Sequence, residues 1–277
     1  MTEIRITVLV DNTVRKSKLI AEHGLSFLLE TGEAKILFDT GQGIALPHNT
    51  AAWDLRLDDI DAVVLSHGHY DHTGGLAYVL ERAKRASVYL HPAAMHAKYG
   101  RRQGETIRRI GIGEEQELAL RERADKTVWT EGPTRVAPDV WVTGEIPRRT
   151  SFEDTGGGFY LDKTCETPDP LRDDQALYVD TPSGLVVLLG CTHSGVVNTL
   201  DYIAALSHQE RIHAVLGGTH LIAASEERLK QTAGCLKRYN VEVLAAGHCT
   251  GAKATAFLRA EFPTQSAELS VGAAFRF

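Results

Sequence analysis

A chain of 277 residues is long enough for one large or two modest domains and for a substantial core. Its 43% hydrophobic and 24% charged residues fit the globular class, and 30 basic against 36 acidic residues argue against broad nucleic-acid binding, with no basic tail to offset the balance. No apolar stretch approaches the ~18 residues of a membrane span, and Met1-Thr2-Glu3-Ile4 lacks the cationic start and apolar centre of a secretion signal.

In chain order, Ile4 to Val10 and Leu25 to Glu30 read as strands. A hairpin-like Thr31-Gly32-Glu33 follows, then a third strand, Lys35 to Phe38, with Asp39 at its end before Thr40-Gly41. The apolar run Ala62-Val63-Val64-Leu65 reads as a short buried strand and opens into Ser66-His67-Gly68-His69-Tyr70-Asp71-His72-Thr73-Gly74-Gly75. His67 and His69 alternate, so they project to one side of the strand end, while Asp71 and His72 lie beyond the turn and address a second point. Three imidazoles and a carboxylate within six positions suit two metal ions. Such ligands favour zinc, iron or manganese over the soft-thiolate chemistry of structural zinc.

Gly74-Gly75 opens a helix to about Arg85, with Leu76, Val79, Leu80 and Ala83 on one face. The strand Ser87 to Leu90 and His91-Pro92 follow, and His91 and His96 are expected at the surface or in packing. Residues 97–170 change character. Arg101, Arg102, Arg108, Arg109, Glu114, Glu115, Glu117, Arg121 and Arg123, with the turn former Gly156-Gly157-Gly158, describe a charged cap, most of whose arginines are expected to face water. The Pro-containing loop Gly144-Glu145-Ile146-Pro147-Arg148-Arg149-Thr150, after a strand-like Val140 to Thr143, is expected on the substrate side of that cap.

Regular patterning resumes at Gln175. Ala176 to Asp180 and Leu185 to Leu189 form an expected hairpin across Pro182-Ser183-Gly184, exiting into Gly190-Cys191-Thr192-His193-Ser194-Gly195. A helix from Val196 to about Leu206 follows, and its first N–H groups would favour an anionic substrate group beside His193. The strand Ala214 to Leu216 ends in Gly217-Gly218-Thr219-His220. A helix from about Glu226 to Arg238 and the strand Val241 to Ala245 lead to Gly247-His248-Cys249. His193 and His248 are two further candidate ligands, and His220 faces substrate or metal. Cys165, Cys191, Cys235 and Cys249 are too few and scattered for a disulfide scaffold, so a reducing cytoplasm is the expected home.

His67-x-His69-x-Asp71-His72 resembles the signature of the metallo-β-lactamase superfamily. Leu37-Phe38-Asp39-Thr40-Gly41 resembles its upstream motif, and Gly190-Cys191-Thr192-His193 and Gly247-His248-Cys249 resemble its downstream metal segments. The resemblance covers nearly the whole chain. It implies an α/β fold, an αββα sandwich with a metal site at one edge of the sheets, formed by a single domain over 1–277 with residues 97–170 as a cap or insertion. It also implies that His67, His69, Asp71, His72, His193 and His248 are metal ligands, with Asp39 orienting the histidine loop. One departure stands out. The superfamily usually places a His-containing turn first and a bridging Asp after the next strand, whereas here the strand exit carries Cys191 and His193 and the earlier turn carries Asp173-Asp174. Asp174 as the bridging carboxylate and Cys191 beside the second metal are both open.

Gly190 to Asn198, Gly217 to Leu221, Gly247 to Gly251 and Gly144 to Arg148 together resemble the branch named after the methanopterin-pathway enzyme that joins a dihydropterin to a ribosyl-aminobenzene phosphate. The expected function is that of a hydrolase or transferase using a metal-activated water or hydroxide on a small anionic substrate, phosphorylated or pterin-like. Two divalent cations are implied, zinc first and iron or manganese next, with Asp71 and His220 as catalytic side chains. The alternatives are a non-catalytic ligand-binding or sensor protein of the same fold and a di-iron redox protein. The redox members usually attach a flavin domain, for which 277 residues leave no room. No nucleic-acid or membrane partner is expected, and the oligomeric state is not legible.

Overall fold

The computed structural model describes residues 3–101 and 106–277; Met1, Thr2 and Arg102 of the sequence reading lie outside them. A seven-stranded sheet runs in the order β16 (Ala274–Arg276), β1 (Arg5–Val10), β2 (Ser26–Glu30), β3 (Lys35–Phe38), β4 (Ala62–Val64), β5 (Ser87–Leu90) and β8 (Thr127–Trp129). A six-stranded sheet runs β15 (Val243–Gly247), β14 (Ile212–Gly218), β13 (Leu185–Leu189), β12 (Leu177–Val179), β10 (Val140–Val142) and β9 (Thr134–Ala137). A small third sheet joins β11 (Phe159–Tyr160), β6 (Tyr99–Gly100) and β7 (Arg108–Arg109).

The strands alternate between two apolar layers. In β13, Val186 and Leu188 face the opposite sheet, together with Ile6, Val8, Phe27 and Phe38. Leu185, Val187 and Leu189 face the helices α5 (Val196–Ser207), α6 (Glu226–Arg238) and α7 (Ala252–Glu261), a layer that includes Leu200, Leu229, Leu236 and Leu258. The first sheet has the same design, with Leu37, Val63 and Val88 turned toward α1 (Ala45–Ala52), α3 (Leu76–Arg82) and α4 (Glu114–Arg121). The result is the αββα sandwich. Strands buried on both faces need continuous apolar sequence, which Leu185-Val186-Val187-Leu188-Leu189 supplies. Each such side chain, fully buried, contributes about 1.5–3 kcal/mol.

The parallel strands set the site. β3, β4, β5 and β8 run parallel in one sheet, and β13, β14 and β15 run parallel in the other. The carboxyl ends of β4, β13, β14 and β15 lead directly to His67, His193, His220 and His248, at the edge where open α/β layers gather their sites. A bulge at Val8/Val10 breaks the β1–β2 register, so that Leu9 and Val10 both join the helix-side core and the chain is re-aimed into Asp11-Asn12.

Several expected boundaries move by one to three residues. The helix expected to reach Arg85 ends at Arg82, where Ala83 leaves helical geometry at φ −79°, ψ 62°, and a short turn of helix, α2 (Tyr70–Thr73), precedes it. The expected cap over 97–170 is divided. Residues 127–129 add an edge strand to the first sheet and 134–137 and 140–142 two strands to the second, whereas 99–100, 108–109 and 159–160 form the separate small sheet. Of the integral part, Val140–Val142 falls on the strand-like Val140 to Thr143, while 127–129 and 134–137 are hidden in sequence because they are only three or four residues long and sit among charges. Among the described residues, no helix is long and apolar enough to cross a membrane.

Candidate functional site

The loop after β4 is held from three sides. Asp39 Oδ1 accepts from the Ser66 N–H at 2.7 Å, Asp39 Oδ2 accepts from Ser66 Oγ at 2.7 Å, and Asp173 Oδ2 accepts from the Gly68 N–H at 2.7 Å. Gly68 is required here, because a Cβ would lie 2.3 Å from the Ala94 carbonyl oxygen. Asp39, Thr192, His220 and His248 all hold positive φ (61°, 64°, 45° and 49°). Left-handed backbone at four non-glycine positions around one site is strain maintained by the surrounding structure.

His67, His69 and His193 form one cluster, with one ligand atom from each within 4.8 Å of the others. His67 Nε2 lies 2.9 Å from His69 Nδ1. His67 Nδ1 donates to Ser66 Oγ at 2.9 Å, since that hydroxyl spends its own proton on Asp39, and His67 Nε2 is left with its lone pair. His193 Nδ1 donates to the Thr155 carbonyl at 2.8 Å, and its Nε2 is buried with no hydrogen-bond partner among the described residues. Burial pushes His67 and His193 well below the ordinary imidazole range and His69 down to about 3. All three are neutral at physiological pH.

Asp71, His72 and His248 gather beside it. His72 Nε2 and His248 Nε2 are 3.1 Å apart, and Asp71 Oδ2 is 3.8 and 3.5 Å from them. His72 Nδ1 donates to Asp39 Oδ2 at 2.7 Å and His248 Nδ1 to Asn12 Oδ1 at 2.9 Å, so both Nε2 atoms turn inward. Burial lowers His72, but Asp39 and Asp71 outweigh it and lift the group to about 9. Burial would raise the Asp71 carboxyl, yet His72, His23 and His248 hold it well below the usual range. Two inward imidazole nitrogens at 3.1 Å share either one proton or one cation. The donor set therefore fits divalent cations: inward-turned imidazole nitrogens, a carboxylate, orphaned buried Nε2 atoms on His69 and His193 among the described residues, and hydrogen-bond partners behind the rings of His67, His72, His193 and His248.

His220 also reaches the site, with its ring centroid 4.4 Å from that of His193. Its Nδ1 is buried without a hydrogen-bond partner among the described residues and faces Gly156, where a Cβ would lie only 2.1 Å away at φ +81°. Burial lowers His220 to about 4. Phe159 closes this side, 5.1 Å from His69, 5.0 Å from His193 and 6.0 Å from His220. His23 lies on the opposite side with half its side chain exposed.

The expected candidates thus converge, with exceptions. Asp174 belongs to none of the close ligand groups. Its Oδ2 accepts from the Ser194 N–H at 2.7 Å, and burial raises its pKa. Cys191 Sγ instead stands 3.2 Å from His72 Nε2 and 3.3 Å from His248 Nε2. The amino end of α5, expected to attract an anionic substrate, is already occupied by the chain's own anion: Glu153 accepts from the Val197 and Asn198 N–H groups, both at 2.9 Å. His91 caps the Ala93 N–H, and neither His91 nor His96 joins the ligand groups. Arg148, an exposed residue, donates to the His193 and Pro170 carbonyls.

Sequence reasoning missed four contributors. His23 Nδ1 accepts from Asn12 Nδ2 at 3.2 Å, which directs its Nε2–H to Asp71 Oδ2 at 3.1 Å. Asp11 accepts from the His248 N–H, and Asn12 holds the His248 ring. Lys98, 1% exposed, pairs with Asp169 and Asp173, both at 2.8 Å. The polar pair Asp11-Asn12 directly after an apolar strand was the one signal available for these.

A model described as the metallo-beta-lactamase superfamily matches residues 19–248. The chain is 30% identical over 293 residues to 7,8-dihydropterin-6-methyl-4-(beta-D-ribofuranosyl)-aminobenzene-5'-phosphate synthase of Methanocaldococcus jannaschii, covering 98% of this chain and 95% of that one. It is 36% identical over 251 residues to an uncharacterized protein of the same organism, covering 90% and 91%. Among solved structures it resembles Tm1679, a metal-dependent hydrolase of the beta-lactamase superfamily, with a TM-score of 0.80, 29% identity and 98% of each chain covered.

Proposed function

Because the chain belongs to the metallo-β-lactamase superfamily, we propose that it is a metal-dependent hydrolase or transferase acting on a small anionic substrate, with two divalent cations, zinc first, held at the paired clusters. His67, His69 and His193 would hold one cation, and Asp71, His72 and His248 the other. The observation that carries this reading is the tautomer set by the partners: Ser66, Thr155, Asp39 and Asn12 each occupy one ring nitrogen and leave the other turned inward. Bound divalent cations supply Lewis acidity, lowering the pKa of water toward about 7 and polarising an electrophilic oxygen.

The chain's own side chains do the rest. His23 donates to Asp71 and fixes which carboxylate oxygen turns toward His72 and His248. His220, neutral at physiological pH, is placed to hydrogen-bond the reacting group beside His193. Phe159 covers the His69–His193–His220 side with an apolar face and keeps water from it. The relative's name describes a product carrying both a pterin and a phosphate, which supports a phosphorylated or pterin-like substrate class. A transferase reading is favoured by the same relative and a hydrolase reading by the Tm1679 likeness.

The test is turnover of a chromogenic phosphodiester before and after chelation, repeated with a dihydropterin as the second substrate. Chelator-sensitive hydrolysis supports the hydrolase reading, and consumption of phosphate ester only when the dihydropterin is present supports the transferase. Turnover unaffected by exhaustive chelation contradicts both.

A further inference from the structure

Arg228 is a buried cation that the proposed reaction does not use, and it is placed against two physical rules. It is 4% exposed, and it stands in the first turn of α6, after the Ser225 cap, where the helix dipole disfavours positive charge. Its Nε is buried without a hydrogen-bond partner among the described residues. The rest of the guanidinium is directed at a single residue: Nη1 donates to Asp154 Oδ1 at 2.5 Å, and Nη2 reaches the Asp154 carbonyl at 3.4 Å. Asp154 belongs to an exposed loop, with 78% of its side chain open to solvent. A buried charge committed to an exposed carboxylate points to what that loop carries.

Four consecutive loop residues each reach a different group. Glu153 accepts from the Val197 and Asn198 N–H groups at the start of α5. Asp154 Oδ1 accepts from the Gly156 N–H at 2.9 Å as well as from Arg228, which closes a tight turn around Thr155. The Thr155 carbonyl accepts from His193 Nδ1 at 2.8 Å, and Gly156 lies so close to the His220 ring that a Cβ there would be 2.1 Å from Nδ1. We propose that Arg228 is a positioning residue for this side of the site: by clamping Asp154 it holds the Thr155 carbonyl that fixes the His193 tautomer and the Gly156 backbone that fixes the His220 ring. Without the clamp the carbonyl is free to move away, and His193 can carry its proton on either nitrogen, so the inward Nε2 no longer always presents a lone pair. That this lone pair receives a cation rests on the proposed two-cation reading; the tautomer itself does not. The rings of His72 and His248 have their own supports in Asp39 and Asn12, so the clamp acts on the first cluster alone.

Proton–nitrogen correlation spectroscopy of the full chain, labelled at the histidine ring nitrogens and exhaustively chelated, tests this, with zinc titrated calorimetrically in parallel. In the unmodified chain His193 should be wholly the Nδ1–H tautomer. Arg228→Met should move a resolvable share of His193 to the Nε2–H form, shift the His220 ring signals and leave His248 as Nδ1–H. It should also weaken the first zinc at least about tenfold and leave the second unchanged. Asp154→Ala, at an exposed position, should do the same and decides the matter if Arg228→Met does not fold. An arginine that only stabilises the fold would lower the unfolding midpoint without touching the tautomer. His193 wholly Nδ1–H in the folded variants therefore overturns the proposal, as does an unmodified chain in which His193 is already Nε2–H. A chain that shows the expected tautomers and binds no zinc overturns the two-cation reading alone.

Discussion

The His67–His69–His193 cluster and the Asp71–His72–His248 cluster lie side by side, yet one ring of the second, His72, is driven opposite to every ring of the first, while burial lowers His248 as it lowers them. Around the first, burial and the Lys98 charge work against imidazolium, and His69 falls to about 3. Around the second, Asp39 and Asp71 supply fixed negative charge, and His72 rises to about 9. Both clusters are buried, so burial alone does not separate them. The difference lies in carboxylates placed within hydrogen-bond reach of one ring. A cation entering the first cluster meets free lone pairs, while a cation entering the second must displace the proton shared by His72 and His248.

The largest expected break in this comparison is His69→Ala. It removes an imidazole from the first cluster, and chelator-sensitive turnover should fall to background while circular dichroism shows the fold retained; a fully active variant contradicts the proposed reaction. Lys98→Met acts on the support behind that cluster. It leaves the buried Asp169 and Asp173 without their cation, and denaturant unfolding should report a loss of about 3–5 kcal/mol. An unchanged midpoint would mean the triad contributes nothing net.

Asp39→Asn sharpens the contrast from the other side. It removes the carboxylate that holds His72 Nδ1, so affinity for the second cation should fall about 10–100-fold while the first binds nearly as before. Equal weakening of both would sink the idea of separate supports. The smallest effect is on pH dependence. Because the His72 pKa in the folded chain is raised to about 9, the proton is held at every lower pH and competes with the cation. Second-site affinity should therefore rise by up to about tenfold per pH unit above pH 6.5 and level off as the pH approaches 9. First-site affinity should be flat over the same window, since His69 is already neutral. Calorimetric titration across that range checks both slopes.

Much of this was legible in the residues. The His67-x-His69-x-Asp71-His72 run exposed its purpose through ligand density, and Val196 to Ser207 and Glu226–Arg238 were readable from periodicity. His23, Asn12 and Lys98 were not readable, for a physical reason. His23 meets Asp71 across 48 positions, and Asn12 meets His248 across 236, so their roles exist only once the two sheets are packed. Glu153 was hidden differently: a single acid in a polar loop gives no sign that it will cap α5. The strands at 127–129 and 134–137 escaped because edge strands of three or four residues bury too little to impose a pattern, whereas 140–142, paired on both sides, matches the strand-like Val140 to Thr143.

The most direct measurement of the central claim is the cation content of the purified chain after zinc reconstitution, by native mass spectrometry, with and without the His69→Ala and Asp39→Asn substitutions. Two zinc ions per chain, with the first lost in His69→Ala and the second weakened in Asp39→Asn, is the result this account requires. A reconstituted chain that carries no zinc, or whose zinc content ignores both substitutions, contradicts it.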